Sequence, residues 1–190
     1  MNPENLETKN NQIDSAKEFA TKKFKEVGTG NHFLEVYEIM KDEFHVDDEE
    51  VLIAGLLHDT LEDTDTTYEE IENNFSKRVA DLVEEVSHPK NYNAEQKKEY
   101  YEKIKHISLD GKMIKLADFA SHLRKYIGAY TGTSNYPKSW NNGYIMLIRP
   151  FLDSCDESEA KHLVFEMTKE LEDYIFKNPI EKPNGSNTTI

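Results

Sequence analysis

Histidine and carboxylate side chains follow directly after an apolar segment of the sequence. His58 and Asp59 come after the run Val51–Leu57, and Glu62 and Asp63 lie three and four residues beyond Asp59. If a helix continues through these positions, the three carboxylates share one face, where like charges destabilise the helix. A buried divalent cation would neutralise the carboxylates, so the pattern indicates a metal site.

Two distant residues strengthen the metal interpretation. Taken alone, His58-Asp59 is more typical of a hydrogen-bonded core histidine beside a solvated acidic loop. However, His32 lies near the start of a predicted helix, and Asp118 follows the largely apolar segment Ile114–Ala117. A carboxylate in such a segment is costly unless it is paired or bound to a metal. Histidines and aspartates from three helices form a mixed nitrogen and oxygen set, which suits an octahedral transition metal such as Mn²⁺ or Fe²⁺.

The elements that position these side chains are predicted to be helices. Apolar residues recur at three- and four-residue spacing along nearly the whole chain, which indicates an all-α protein. Val51–Leu57 would also suit a buried strand, but no second strand is available to pair with it. Helices are expected over residues 13–24, 33–40, 51–57, 67–75, 79–86, 94–106, 110–123, 140–154 and 157–176.

The length of the chain predicts one domain. Its 190 residues fit a single helical bundle over residues 12–178, between a flexible N-terminus at 1–11 and a flexible C-terminal tail at 179–190. Residues 128–139 are rich in turn-forming residues, and we expect them to form a loop at the rim of the site.

Composition excludes several classes of function. Lys plus Arg number 23 and Asp plus Glu 37, so the formal charge of −14 argues against binding nucleic acid or anionic membranes. A single cysteine, Cys155, allows neither an intrachain disulfide nor a cysteine-rich zinc site. Because the N-terminus lacks the features of a signal or transit peptide, we expect a cytoplasmic protein.

The residues described above resemble a known family, the HD-domain phosphohydrolases. The resemblance is to the hydrolase domain of the RelA/SpoT alarmone enzymes and its small stand-alone relatives. It is carried by His32, Ala54–Thr64, Phe75–Val83 and Lys115–Asp118. It implies an HD-domain helical bundle that holds one Mn²⁺ per chain through His32, His58, Asp59 and Asp118. Glu62 and Asp63 are then implied to position and deprotonate the attacking water.

The resemblance also implies an activity. The implied reaction removes the 3′-pyrophosphate of the nucleotide (p)ppGpp to give GDP or GTP and pyrophosphate, and we expect a hydrolase without a synthetase domain. Two alternatives are an HD phosphohydrolase that acts on a different nucleotide, and a non-catalytic nucleotide-binding module. Glu62, Asp63 and the four implied ligands are all present, which favours catalysis.

The substrate pocket departs from the family pattern at several positions. Phe33 follows the first ligand where the family has Pro, His122 replaces an Asn, and Tyr144 and Ile148 replace an Arg and a Tyr. The basic segment ahead of His32 is also shorter. We expect His122 to open into the same cavity as Asp118. The candidate substrate-binding residues are Lys22, Lys23, Lys115, His122, Arg124 and Tyr144.

Overall fold

The chain forms an all-α bundle, which confirms the predicted fold class. The computed structural model describes residues 3–28, 30–91, 93–138 and 141–178. A π-helical turn at Ile39–Glu43 continues directly from α2. Within the described part of the chain there is no β-strand, and no helix combines the length and apolar character needed to cross a bilayer. The helices are α1 (Pro3–Val27), α2 (His32–Glu38), α3 (Glu49–Leu57), α4 (Thr60–Asp63), α5 (Tyr68–Asn74), α6 (Lys77–Val86), α7 (Ala94–Ile104), α8 (Leu109–Thr131), α9 (Asn141–Asp153) and α10 (Glu159–Lys177).

Helix α3 lies at the centre of the bundle. Asp48 caps its N-terminus by accepting hydrogen bonds from the backbone N–H groups of Glu50 and Val51. Every residue of Val51–Leu57 is buried, and the helix contacts α1, α2, α6 and α8. A helix that is apolar on all sides must be surrounded by others. The prediction of a buried helix rather than a strand is therefore confirmed.

Gly55 allows the π-helical turn to approach α3 closely. A Cβ atom at this position would lie 2.4 Å from the Sδ atom and 3.2 Å from the Cε atom of Met40, whose side chain is fully buried. The carbonyl oxygen of Gly55 also accepts a hydrogen bond from His58. The glycine thus links close helix packing to the orientation of a predicted metal ligand.

Two helices extend beyond their predicted bounds. Helix α1 begins at Pro3 rather than Ile13, and proline is tolerated in the first turn of a helix. Helix α8 begins at Leu109 rather than Asp110, capped by Ser108. It ends at Thr131, about two turns beyond the expected end at residue 123, since Gly132 adopts the left-handed conformation that closes it. The rim loop therefore starts at Gly132 rather than at residue 128.

Other predictions stay predictions. The helix expected over 140–154 is observed as α9 from Asn141, while residue 140 and the predicted tail at 179–190 lie outside the described residues. The backbone is helical from Pro3, but this does not test the predicted flexibility of residues 1–11.

Candidate metal centre

Four helical segments bring the predicted ligands together. His32 begins α2, His58 and Asp59 lie between α3 and α4, and Asp118 lies inside α8. Possible ligand atoms of His32, His58 and Asp59 lie within 4.8 Å of one another. The same holds for His32, Asp118 and His122, so both groups share His32. The structure thus gathers the four predicted ligands and adds His122 beside them.

The side chain of His58 leaves one ring nitrogen available to a ligand. Its Nδ1–H donates to the carbonyl oxygen of Gly55 at 2.8 Å. Its Nε2 atom is buried and has no hydrogen-bond partner among the described residues, although Asp59 Oδ1 lies 3.0 Å away. A buried polar atom without a partner is unfavourable. A metal ion at Nε2 would satisfy the atom, and the Nδ1 hydrogen bond fixes the required tautomer.

The carboxylate of Asp118 contacts three polar side chains. Its Oδ1 atom lies 3.0 Å from His32 Nε2 and 2.9 Å from His122 Nδ1, while its Oδ2 atom accepts from Lys115 Nζ at 2.5 Å. Burial raises the pKa of Asp118, but the positive charge of Lys115 outweighs this effect and holds the pKa well below its usual value. The carboxylate therefore stays ionised within the bundle.

The spacing of these groups fits a metal ion. Ligands that bind at right angles at about 2.1 Å from a metal lie about 3.0 Å apart, which is the spacing observed for His32–Asp118 and for His58–Asp59. Burial lowers the pKa of His32, but the neighbouring carboxylates of Asp118 and Glu35 raise it to about 9, so the centre favours added positive charge. A histidine–aspartate hydrogen bond has the same spacing, and the unpartnered Nε2 of His58 favours a metal ion instead.

The predicted catalytic carboxylates have different surroundings. Glu62 is held by His88, whose backbone N–H donates to Oε1 at 2.9 Å and whose Nε2 lies 2.6 Å from Oε2. The Asp63 carboxylate is exposed and makes no hydrogen bond among the described residues. Neighbouring groups partly exclude water from the carboxyl group, and this desolvation, followed by the charges of Asp59 and Glu62, raises the pKa of Asp63. A carboxylate with a raised pKa beside a metal centre is suited to accept a proton.

His88 corrects an expectation drawn from spacing. Because the sequence offers it no partner at ligand spacing, it would be expected at the surface, as would His45, His106 and His162. Those three are exposed, whereas His88 is half-buried and pairs with Glu62. The pairing brings together residues 26 positions apart, so helical periodicity carries no signal for it.

Three of the residues predicted to bind phosphate form ion pairs with carboxylates. Lys115 is buried against Asp118, Arg124 pairs with Glu43, and Lys23 bonds both Asp65 and Glu70; these carboxylate partners were not predicted. Lys22 is exposed. Of the predicted substrate-binding residues, His122 and Tyr144 lie beside the centre. The ring centroid of His122 lies 4.5 Å from that of His32 and 5.6 Å from that of Tyr144. Ile148 is fully buried in the core.

A cavity of about 620 Å³ lies between α7, α8 and α9, and it is lined by Tyr144, whose ring lies near that of His122. Its lining combines aromatic rings with ammonium groups, and α7 contributes most of them. The sequence shows lysines and tyrosines along α7 but does not reveal which of them line a cavity. The lysines and tyrosines of the lining are Lys97, Lys98, Lys105, Tyr101, Tyr126 and Tyr144.

The chain is similar to known proteins over this region. The sequence model of the HD domain matches residues 14–131. The protein MESH1 of Danio rerio, named a guanosine-3′,5′-bis(diphosphate) 3′-pyrophosphohydrolase, is 43% identical over 95 residues, which cover 50% of this chain and 53% of the relative. An Aquifex aeolicus protein with the same enzyme name is 35% identical over 156 residues, 71% of this chain and 22% of the relative. The chain thus spans about half the length of MESH1 and about a fifth of the Aquifex aeolicus relative.

Solved structures show the same fold. A structure described as a metazoan ortholog of SpoT that hydrolyzes ppGpp superposes with a TM-score of 0.67 at 24% identity, covering 88% of this chain and 96% of the other. A crystal structure of a Listeria monocytogenes protein superposes with a TM-score of 0.62 at 26% identity, covering 76% of this chain and 99% of the other.

Proposed function

The chain belongs to the HD domain family, and we propose that it is a metal-dependent phosphohydrolase that removes the 3′-pyrophosphate of (p)ppGpp. The observation that carries the proposal is the buried, unpartnered Nε2 atom of His58, which faces Asp59 beside His32 and Asp118. The enzyme names of the MESH1 and Aquifex aeolicus relatives support the choice of substrate.

The proposed cofactor is one Mn²⁺ ion, held by His32, His58, Asp59 and Asp118. Two imidazoles and two carboxylates without a thiolate form a set that suits an octahedral ion of this kind. When bound, such an ion would polarise a phosphoryl oxygen and make a water molecule more acidic. The carboxylates are ready to hold it, because Lys115 keeps Asp118 ionised.

Glu62 and Asp63 are the proposed catalytic residues. Asp63, exposed and without a hydrogen bond among the described residues, would accept a proton from the attacking water. Glu62, fixed by His88, would orient that water. The water oxygen forms a bond to the phosphorus joined to the 3′ oxygen, and the bond between that phosphorus and the 3′ oxygen breaks. Pyrophosphate leaves, and the 3′ oxygen takes up a proton to become a hydroxyl.

The cavity beside Tyr144 is the proposed site of the rest of the nucleotide. Lys97 and Lys98 would contact the phosphates at the 5′ position, and the tyrosine rings would stack on the base. A chain with a formal charge of −14 needs such a local cationic patch to bind a polyanion. His122 lies between the metal centre and this cavity, so it would contact the phosphates that join the two.

The test is a substrate panel of ppGpp, pppGpp and common nucleotides, assayed with Mn²⁺ and with a chelator. We expect pyrophosphate release from ppGpp and pppGpp with Mn²⁺ and none with chelator. Release from another nucleotide alone would replace the substrate while keeping the metal chemistry. Binding without turnover of any nucleotide would contradict the proposal and favour a non-catalytic module. Asp63→Asn serves as the matched control, because it removes the proposed base but none of the proposed ligands.

A further inference from the structure

The second ring nitrogen of His32 contacts a hydroxyl group that already donates elsewhere. His32 Nδ1 lies 3.0 Å from Ser121 Oγ, on the opposite side of the ring from Asp118. The Ser121 hydroxyl donates to Glu35 Oε2 at 2.6 Å. A serine hydroxyl has one proton and can otherwise only accept. The Ser121 oxygen is therefore left to accept from Nδ1–H of His32.

Lys125 competes for the same ring nitrogen. Its Nζ atom lies 3.2 Å from His32 Nδ1 and 2.9 Å from Glu35 Oε2. An ammonium group has three donors and no acceptor, so it can satisfy Nδ1 only when that nitrogen carries no proton. The ring proton would then reside on Nε2 and block metal binding there. The Glu35 carboxylate offers Lys125 a charged acceptor instead, and hydrogen bonds between charged groups are the stronger kind.

We propose that Ser121 and Glu35 form a positioning relay that keeps the proton of His32 on Nδ1 and presents Nε2 to the metal ion. Glu35 has two tasks in this relay: it accepts from the Ser121 hydroxyl and it draws the Lys125 ammonium away from the ring. The inference rests on the proposed metal centre. It adds to that centre two residues that bind neither metal nor substrate.

The relay couples helices α2 and α8. His32 and Glu35 lie one turn apart on α2, while Ser121 lies one turn after Asp118 on α8. Ser121 is buried, whereas the Glu35 side chain is 49% exposed. Partners that hydrogen-bond the second nitrogen of a ligand histidine fix its orientation and basicity, and their loss typically weakens metal affinity about 10- to 100-fold.

The test measures Mn²⁺ affinity by competition with a chelating dye, using full-length protein from which metal has been removed. Ser121→Ala and Glu35→Gln should each weaken binding about 10- to 100-fold, with little change in the melting temperature of the metal-free protein. Ser121→Ala leaves the net charge unchanged, so its effect cannot arise from long-range electrostatics. Glu38→Gln is the matched control, because Glu38 is also an exposed glutamate of α2 and lines the same small cavity as Glu35. It should bind as the unmodified protein does.

Lys125→Met separates the relay from its competitor. The relay predicts no loss of Mn²⁺ affinity in this variant, since the lysine does not donate to the ring. Unchanged affinity in Ser121→Ala and Glu35→Gln, or a loss confined to Lys125→Met, would overturn the inference. If Ser121→Ala does not fold, the comparison of Glu35→Gln with Glu38→Gln decides. A failure of the proposed metal centre itself would look different, because the unmodified protein would then bind Mn²⁺ no better than His58→Ala does.

Discussion

At the scale of single residues, the two predicted catalytic carboxylates are held differently. His88 fixes both oxygens of Glu62, whereas the Asp63 side chain reaches solvent. Partial desolvation by neighbouring groups, followed by the charges of Asp59 and Glu62, raises the pKa of Asp63. This difference supports the proposed roles, in which Glu62 orients the attacking water and Asp63 accepts its proton.

Replacing Asp63 by Asn should leave Mn²⁺ affinity and the melting temperature unchanged while lowering kcat. A positioned general base contributes roughly 10²–10⁴-fold to the rate. The unmodified enzyme should lose activity as the pH falls and the Asp63 carboxylate takes up a proton, and Asp63→Asn should not show this limb. Steady-state kinetics across pH, with metal content measured in parallel, check both points. Loss of the metal from Asp63→Asn would make this residue a ligand.

His122→Asn tests the residue that lies between the metal centre and the lysine-lined cavity. We expect KM for ppGpp to rise, since the imidazole would no longer contact the phosphates, and Mn²⁺ content to stay the same. The structure also offers His122 as a member of a possible metal-binding group with His32 and Asp118. Steady-state kinetics and metal analysis on the same preparation distinguish the roles. Lower Mn²⁺ content would assign His122 to the metal instead.

His88→Gln tests the contact that fixes Glu62. Burial lowers the pKa of His88, but Glu62 raises it above the ordinary value of about 6.5. A group with a raised folded-state pKa stabilises the protein fully below the unfolded value, and this stabilisation is lost as the pH rises through the folded value. The melting temperature of His88→Gln should therefore fall below that of the unmodified protein at pH 6, with a smaller difference at pH 9. Equal differences at both values would show that the charge of His88 is not involved.

At the scale of elements, the sequence predicts which segments are helical better than where they meet. Val51–Leu57 is apolar at every position, so burial on all sides could be predicted. The contact between Gly55 and Met40 could not, because it depends on a π-helical turn that has no clear signature in the sequence. The same limit applies to His88 and Glu62, which belong to segments that meet only in the folded chain.

Gly55→Ala should destabilise the protein without removing any predicted ligand. The new Cβ would lie 2.4 Å from the Met40 Sδ atom, and overpacking of this kind typically costs about 1–3 kcal/mol. Chemical denaturation of Gly55→Ala, Met40→Ala and the double variant measures the interaction between the two positions. The substitution at Gly55 should cost less when Met40 is already alanine. Strict additivity of the two effects would contradict the close approach.

At the scale of the whole molecule, the four predicted ligands come from distant parts of the sequence. Their residue types and the apolar segments around them indicate a metal site, and the family resemblance implies that these four residues form it. The charged residues around these ligands are harder to predict, because a lysine or glutamate is expected at the surface unless its partner is known. Glu35 meets Ser121 only when α2 packs against α8, and the lysines of α7 line their cavity only when α8 and α9 pack beside them.

We propose that one metal ion at this centre supports hydrolysis of the 3′-pyrophosphate of (p)ppGpp. The most direct test is pyrophosphate release from ppGpp while metal-free protein is titrated with Mn²⁺, with His58→Ala in parallel. We expect pyrophosphate release to rise to a plateau near one ion per chain. His58→Ala should neither bind the ion nor release pyrophosphate. Full activity of the metal-free protein, or equal activity of His58→Ala, would contradict this proposal.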